Sequence, residues 1–261
     1  MTLLAVRDLT VGIGGAVLVD GVSFTLDPGE RLGLIGESGS GKSLTALAVL
    51  GLLPAGATVT GSITLDGREL VGLGDRRLSA LRGRKLAMVF QEPRTALNPL
   101  MRVGRQVAEP LHHHGLLTRR AARTRAVDLL ADVGLPDPAH TARAYPHQLS
   151  GGQLQRVGIA AALACGPALL LADEPTTALD VTVQAEILAL LDRLVDEHGT
   201  ALVFITHDMA VLARVARRVL VLGKGKVLEE GELDSVLRAP GHEYTRTLLT
   251  AARAASFRRE A

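Results

Sequence analysis

Cysteine is nearly absent: Cys165 is the only one in 261 residues. A lone thiol excludes a disulfide framework and a cysteine-rich metal site, and it suits a reducing compartment. Long apolar runs are missing too. No stretch reaches the roughly 18 uninterrupted apolar residues that a membrane-crossing helix needs, so any membrane role is expected to come through a partner. Neither charge dominates. With 29 basic and 27 acidic residues the net charge is +2, which argues against a dedicated nucleic-acid binder with a basic face. The opening MTLLAVRDLTVG carries Arg7 and Asp8 within its apolar pattern and does not read as a secretory signal. Lysine is scarce, at four residues, so each place it occupies is informative.

What is present is a chain rich enough in apolar residues, at 47%, to bury a sizeable core rather than stay disordered. Its length suits one large α/β domain, or such a domain with an insert. LLAVRDLTV, VSFTLD and GSITLDG alternate like half-buried strands. After a turn at Asp27-Pro28-Gly29, RLGLIG reads as a buried strand, and SLTALAVLGLL as an apolar helix stopped before Pro54. KLAMVF is another buried strand, ending at Gln91. The next stretch, to Ser150, is too long for a plain loop and helical in pattern, with Thr118 a candidate N-cap. Then strands and helices alternate again: ALLLADE, VTVQAEILALLDRLVDEHG, ALVFITH, a short helix and the hairpin RVLVLGKGKVLEEG. The tail AARAASFRREA reads as fraying helix. This order predicts an α/β fold with a mainly parallel sheet and helices on both faces. No internal repeat or low-complexity tract interrupts it.

Gly36-Glu37-Ser38-Gly39-Ser40-Gly41-Lys42-Ser43 fits G-x-x-x-x-G-K-S between a strand and a helix that continues with Leu44. Glycines there let backbone N–H groups turn inward onto phosphate oxygens, and the helix dipole adds to the attraction. Lys42 supplies charge for the outer phosphates and Ser43 an oxygen for Mg²⁺. The bland alternative, an ordinary glycine turn, does not account for the strand–helix setting.

Asp173 and Glu174 close a very apolar strand, at the end where ligands bind in open parallel sheets. One carboxylate suits a Mg²⁺ role through water, the next the activation of an attacking water. His207 and Gln91 also end strands. Alone each reads as structural; beside a phosphate loop they become candidates.

Ser150-Gly151-Gly152-Gln153 opens a further helix with capping-box spacing. Two adjacent glycines cost such a helix about 1 kcal/mol each, so bare backbone is wanted there. Since one phosphate loop already exists, this second anion cradle is read as serving a nucleotide held by another subunit.

Taken in order, GESGSGKS, Gln91, LSGGQ, LLLADEP, TTALD and His207 resemble the ATP-binding subunit of an ABC transporter, over about residues 3 to 250. The resemblance implies a P-loop NTPase fold of the ABC ATPase type. A core with an N-terminal antiparallel β subdomain is expected over 1–91 and 165–240, a helical subdomain with the signature helix over 92–164, and a tail over 241–261. ATP and Mg²⁺ are the implied cofactors. Glu174 would be the catalytic base, His207 the switch histidine, Asp173 the Mg²⁺-side carboxylate and Asp180 part of the dimer loop, with Gln91 linking nucleotide, metal and membrane partner. QEPRTALNPL, TTALDVTVQAEIL and HEYTRTLL are similar to importers of dipeptides, oligopeptides and nickel. The implied partners are a second ATPase subunit (a copy or a paralogue), two integral membrane permeases and, indirectly, an extracytoplasmic solute-binding protein, at the cytoplasmic face of the membrane; nucleic acid is not expected.

Departures are specific. Ile13 stands where an aromatic residue would stack on adenine, forgoing about 1 kcal/mol. Leu154 and Glu92 replace residues that are usually polar and Asp respectively. With Cys165 alone, no iron–sulfur cluster is expected. His112-His113-His114 invites a metal reading, but adjacent residues on a helix diverge, and a solvated helix end is the reading preferred. Arg119, Arg120, Arg123 and Arg125 read as a solvated face. Rival functions are an ABC-type ATPase of DNA repair or the ribosome, and a non-catalytic scaffold. The first lacks its usual inserts and zinc cysteines here; the second would be expected to lose Glu174 or His207.

Overall fold

The computed structural model describes residues 2–177 and 179–259. The chain divides into two compact units, residues 1–78 with 201–261, and residues 79–200. Each is described by itself.

The first unit opens with a hairpin of β1 (Leu4–Ile13) and β2 (Ala16–Leu26). Its turn is Gly14-Gly15, both at positive φ (58° and 83°), as tight hairpin turns demand. β2 therefore starts earlier than the VSFTLD pattern predicts. Then follow β3 (Arg31–Ile35), α1 (Lys42–Leu50), β4 (Thr58–Leu65), β5 (Arg68–Glu69) and the short α2 (Asp75–Ser79). The expected run of α1 toward Pro54 stops sooner, because Gly51 turns left-handed at φ 63° and caps it. Strands β2, β1, β4 and β5 lie side by side, each pair antiparallel. Leu4, Val6, Leu9, Leu26 and Ile63 of this sheet are buried, and a register shift between Val6 and Leu9 interrupts the alternation that the sequence predicts.

In the second unit, β6 (Leu86–Val89) leads into α3 (Pro93–Ala96), α4 (Val103–His113), α5 (Arg119–Asp132), α6 (Pro138–Thr141) and α7 (Gly151–Leu163). β7 (Leu169–Asp173) and α8 (Val181–His198) complete it. Thr118 caps α5 as expected, its hydroxyl accepting from Ala121 N–H at 3.3 Å. Val103, Val107 and Leu111 of α4, and Ala122, Ala126, Leu129 and Leu130 of α5, are buried at helical spacing. β6 and β7 run parallel, Val89 opposite Ala172.

The first unit resumes with β8 (Ala201–Thr206), α9 (Met209–Val215), β9 (Arg218–Gly223), β10 (Lys226–Glu232), α10 (Leu233–Arg238) and α11 (Glu243–Arg259). β3 is flanked by β8 and β9, both parallel to it, and all five β3 residues are buried. β10 returns antiparallel along β9, the hairpin read in the sequence. α11 carries the expected tail helix as far as Arg259; Glu260 and Ala261 lie outside the described residues, as does Ala178 of the TTALD motif.

Candidate nucleotide site

In the first unit, parallel register decides where the functional residues emerge. Ile35 of β3 pairs with Thr206 of β8, so Gly36 and His207 are the next residues out on the same edge. Residues 36–41 form the loop and Gly41, left-handed at φ 99°, turns the chain into α1 without any side-chain cap. Lys42 is buried; its ammonium donates to the carbonyls of Gly36 (2.7 Å) and Glu37 (2.8 Å) and to Ser40 Oγ (3.4 Å). Ser43 and Leu44 follow in the first turn of α1. Gly36 cannot be replaced cheaply, since a Cβ there would sit 2.1 Å from the Leu222 carbonyl oxygen. His207 lies in the tight step between β8 and α9, where Asp208 N–H bonds Thr206 Oγ1 at 3.0 Å and the Asp208 carboxylate caps α9. Ile13 ends β1 opposite Ala16, half-buried.

The second unit gathers the carboxylates. Asp173 is the last residue of β7 and is buried. Glu174 follows at φ 43°, a left-handed conformation that a non-glycine residue holds at a cost of about 1–3 kcal/mol and that clusters at functional sites. Its Oε2 accepts from Thr177 Oγ1 at 2.9 Å and from Gln91 Nε2 at 3.3 Å. So Gln91, two residues beyond β6, meets the residue expected to be the base. Asp180 serves as N-cap of α8, accepting from Val183 N–H at 2.9 Å.

The start of α7 shows the capping box read from sequence. Ser150 Oγ accepts from Gln153 N–H (3.3 Å) and Gln153 Oε1 from Ser150 N–H (2.9 Å). The two glycines differ. A Cβ on Gly152 would stand 2.8 Å from Val183 Cγ1, so the Val183 side chain of α8 would have to shift to admit anything larger than glycine. Among the described residues, a Cβ on Gly151 meets Leu179 Cδ2 alone, at an ordinary 3.7 Å. Phosphate approach is the role expected of both glycines; packing against Val183 accounts for Gly152. Gly151, Gln91, Glu92, Arg94 and Thr177 surround one hollow of about 390 Å³ within this unit.

Some members of the site were not read from the sequence. Thr177, though inside the TTALD motif, holds Glu174. Gln155 lines the same hollow, buried at 2% exposure, and its Nε2 has no partner among the described residues. Arg156 ties α7 down, donating to Val133 carbonyl at 2.7 Å and pairing with Glu186 of α8 at 2.6 Å. SGGQLQR displays Gln155 and Arg156 in plain view, yet only three-dimensional packing separates a packing residue from a cradle residue. Among the described residues no group of three or more His, Cys, Asp or Glu is arranged to hold a metal ion. His113 and His114 meet edge to face, and His112 Nδ1 lies 3.5 Å from Leu117 carbonyl oxygen. Arg119, Arg120 and Arg123 are exposed, while Arg125 pairs with Asp128 and Asp132.

Residues 19–177 match the protein family described as ABC transporter. The chain belongs to that family. It is 52% identical over 95% of its length to a peptidoglycan transport ATP-binding protein, YejF, of Agrobacterium fabrum. It is 47% identical over 95% of its length to the oligopeptide transport ATP-binding protein OppD of Bacillus subtilis, and 45% identical over 96% to the dipeptide transport ATP-binding protein DppD of Escherichia coli. It spans 47% of the first relative's length, 71% of the second's and 78% of the third's. Among solved structures it resembles the dimeric ATP-binding cassette MJ0796, in a post-hydrolysis state with ADP and phosphate. The TM-score is 0.77 at 32% identity, over 88% of this chain and 98% of that one. The fold is therefore that of an ABC ATPase, and the chain is an ATP-binding and ATP-hydrolysing cassette. No helix among the described residues is long and apolar enough to cross a membrane.

Proposed function

We propose that this cassette energises uptake of peptides through partner permeases, from the cytoplasmic face of the membrane. The observation that carries the reading is the 45–52% identity, across nearly the whole chain, to ATP-binding proteins named for peptide, dipeptide and peptidoglycan transport. Peptides and peptidoglycan fragments share amide chemistry, so they form the favoured cargo class. Nickel, the other cargo suggested by the sequence, gains no support from these relatives, and neither does a role in DNA repair or on the ribosome.

The site residues have the chemistry such a machine needs. The 36–43 loop is a phosphate cradle, with Lys42 for the outer phosphates. Ser43 in the first unit, and Asp173 and Gln91 in the second, each carry an oxygen of the kind that a hard cation such as Mg²⁺ takes, and Mg²⁺ would offset phosphate charge when bound. Glu174 orients and deprotonates the attacking water; His207 steadies it. Ser150–Gln153 faces the nucleotide of a second cassette, and Asp180 lies in the loop between the two copies. In this reading residues 92–164 are the helical subdomain, and 1–91 with 165–240 the core. ATP favours the closed pair because only that state supplies both cradles.

The helical insert offers a grip for the permease. A hollow of about 590 Å³ is edged by Arg102, Arg105, Arg123 and Arg143. Leu100, 87% exposed, stands beside it. An acidic, partly apolar segment of a permease fits this combination.

The test is reconstitution with the neighbouring permeases and receptor in liposomes. ATP hydrolysis should rise when the receptor is loaded with di- to pentapeptides and not with nickel chelates. Stimulation by the chelates alone would overturn the cargo, and ATPase activity indifferent to the permeases would overturn transport.

A further inference from the structure

The peptide unit between Gly36 and Glu37 is held at both ends. Its carbonyl accepts from the Lys42 ammonium at 2.7 Å. Its N–H donates to the hydroxyl oxygen of Tyr244, 2.9 Å away and 207 residues later in the chain. Tyr244 is one of only two tyrosines. It sits at the start of α11, and its own position is fixed in turn. Its N–H donates to His242 Nδ1 at 3.1 Å, and the N–H groups of Gly241 and His242 donate to the Glu229 carboxylate of β10 at 2.7 and 3.1 Å. All of these groups lie in the first unit.

We infer that Tyr244 is a positioning residue for nucleotide binding, acting through the 36–37 peptide on Lys42. A peptide plane is rigid, so fixing its N–H fixes the direction of its carbonyl. That carbonyl, with Glu37 O, sets where the ammonium stands. Without the phenol the plane is held at its carbonyl end only, and Lys42 has a less sharply defined place from which to meet the outer phosphates. The C-terminal helix thereby becomes part of the phosphate loop's support. The hydroxyl never touches substrate in this scheme; its effect is on the ground-state affinity for ATP. The inference rests on Lys42 being the phosphate ligand.

The test is Tyr244→Phe, which keeps the ring and removes the hydrogen-bond acceptor. The loss of one such bond predicts an about three- to tenfold rise in KM and Kd for Mg-ATP, with kcat at saturating ATP nearly unchanged. Lys42→Ala is the control for the underlying reading. If Lys42→Ala abolishes nucleotide binding while Tyr244→Phe leaves KM and Kd at the wild-type values, the role of Tyr244 is overturned and the loop assignment stands. If Lys42→Ala binds ATP normally, the loop assignment falls first. A Tyr244→Phe protein with a lower melting temperature and an unaltered KM would mark the bond as structural only, against the inference. Glu229→Gln supplies an independent arm. It loosens the segment bearing Tyr244, so it should raise KM in the wild type and add little in the Tyr244→Phe background. Full additivity of the two would count against a shared path.

Discussion

Two helices in this molecule begin in glycine, and they begin differently. α1 has no side-chain cap: Gly41 enters it left-handed, and the loop before it is shaped by backbone conformation and by the Leu222 carbonyl pressing on Gly36. Its glycines are demanded from within the chain. α7 has a complete capping box at Ser150 and Gln153 and would form without glycine at all. There α8 demands Gly152, and nothing inside the described chain demands Gly151. One start carries its own reasons for bare backbone; the other is half explained. The missing half is what the proposed second cassette would supply.

The largest effect that sharpens this contrast should come from Glu174. Replacing it with Gln keeps the bonding shape and removes the proposed base, so hydrolysis should fall by about 10²- to 10⁴-fold. ATP binding should persist, and the two helix starts should stay clamped on one nucleotide as a dimer stable in gel filtration. Hydrolysis at the wild-type rate would remove Glu174 from the role of base.

Gly151→Ala separates the two explanations of the α7 glycines. Alanine fits the chain, since its Cβ would lie at an ordinary distance from Leu179. It also favours helix by up to about 1 kcal/mol. The melting temperature should hold or rise while ATP hydrolysis by the assembled transporter drops by about 10²-fold, because a methyl group displaces phosphate from backbone N–H groups. A fully active Gly151→Ala transporter would mean that no ligand comes to this helix start.

Gly152→Ala asks the converse. Its methyl would press on the end of the Val183 side chain, a strain of about 1–3 kcal/mol that should outweigh the up to about 1 kcal/mol alanine gains as a helix former and lower the melting temperature. Val183→Ala should give that stability back. If thermal unfolding of the double variant matches the Gly152→Ala single variant, packing against α8 is not why glycine stands there.

Much of this was legible in the sequence because the signals are local. The G-x-x-x-x-G-K-S spacing, the capping box and the apolar strands ending in Asp173 and Glu174 all express chemistry within about ten residues. Pro54 predicts a later end for α1, whereas Gly51 takes the left-handed cap first. The early part of β2 was missed because Gly21, left-handed at φ 66°, breaks the alternation. The short α2, α3, α6 and α10 give too little periodicity to read. The hold of Thr177 on Glu174, the clash that Gly152 avoids and the reach of Tyr244 to Glu37 depend on segments far apart in the chain or on packing, which no pattern in the sequence records. Cys165 shows the same limit on a small scale: burial pushes its thiol up, with Arg84 acting in the opposite direction, and neither influence is visible in sequence.

The smallest expected effect concerns the support of the first helix start. Burial works against the charge on Glu229. Even so, the nearby Thr245 hydroxyl, the Gly241 and His242 N–H groups that bond it and the adjacent His242 ring hold the carboxyl below its ordinary value near 4.5. A carboxyl depressed in the folded state stabilises it above the unfolded value, and the contribution vanishes as pH falls through the folded value. Wild type should therefore melt slightly above Glu229→Gln at pH 7. That gap should begin to close just below pH 4.5 and be gone at lower pH. The α7 start has no such carboxylate among its capping partners, so a capping variant there, Ser150→Ala, should show a loss of about 1 kcal/mol that stays level across the same range. A gap for Glu229→Gln that is equally flat would mean that its carboxylate charge is not what holds the 240–242 segment, and the electrostatic difference between the two helix starts would disappear.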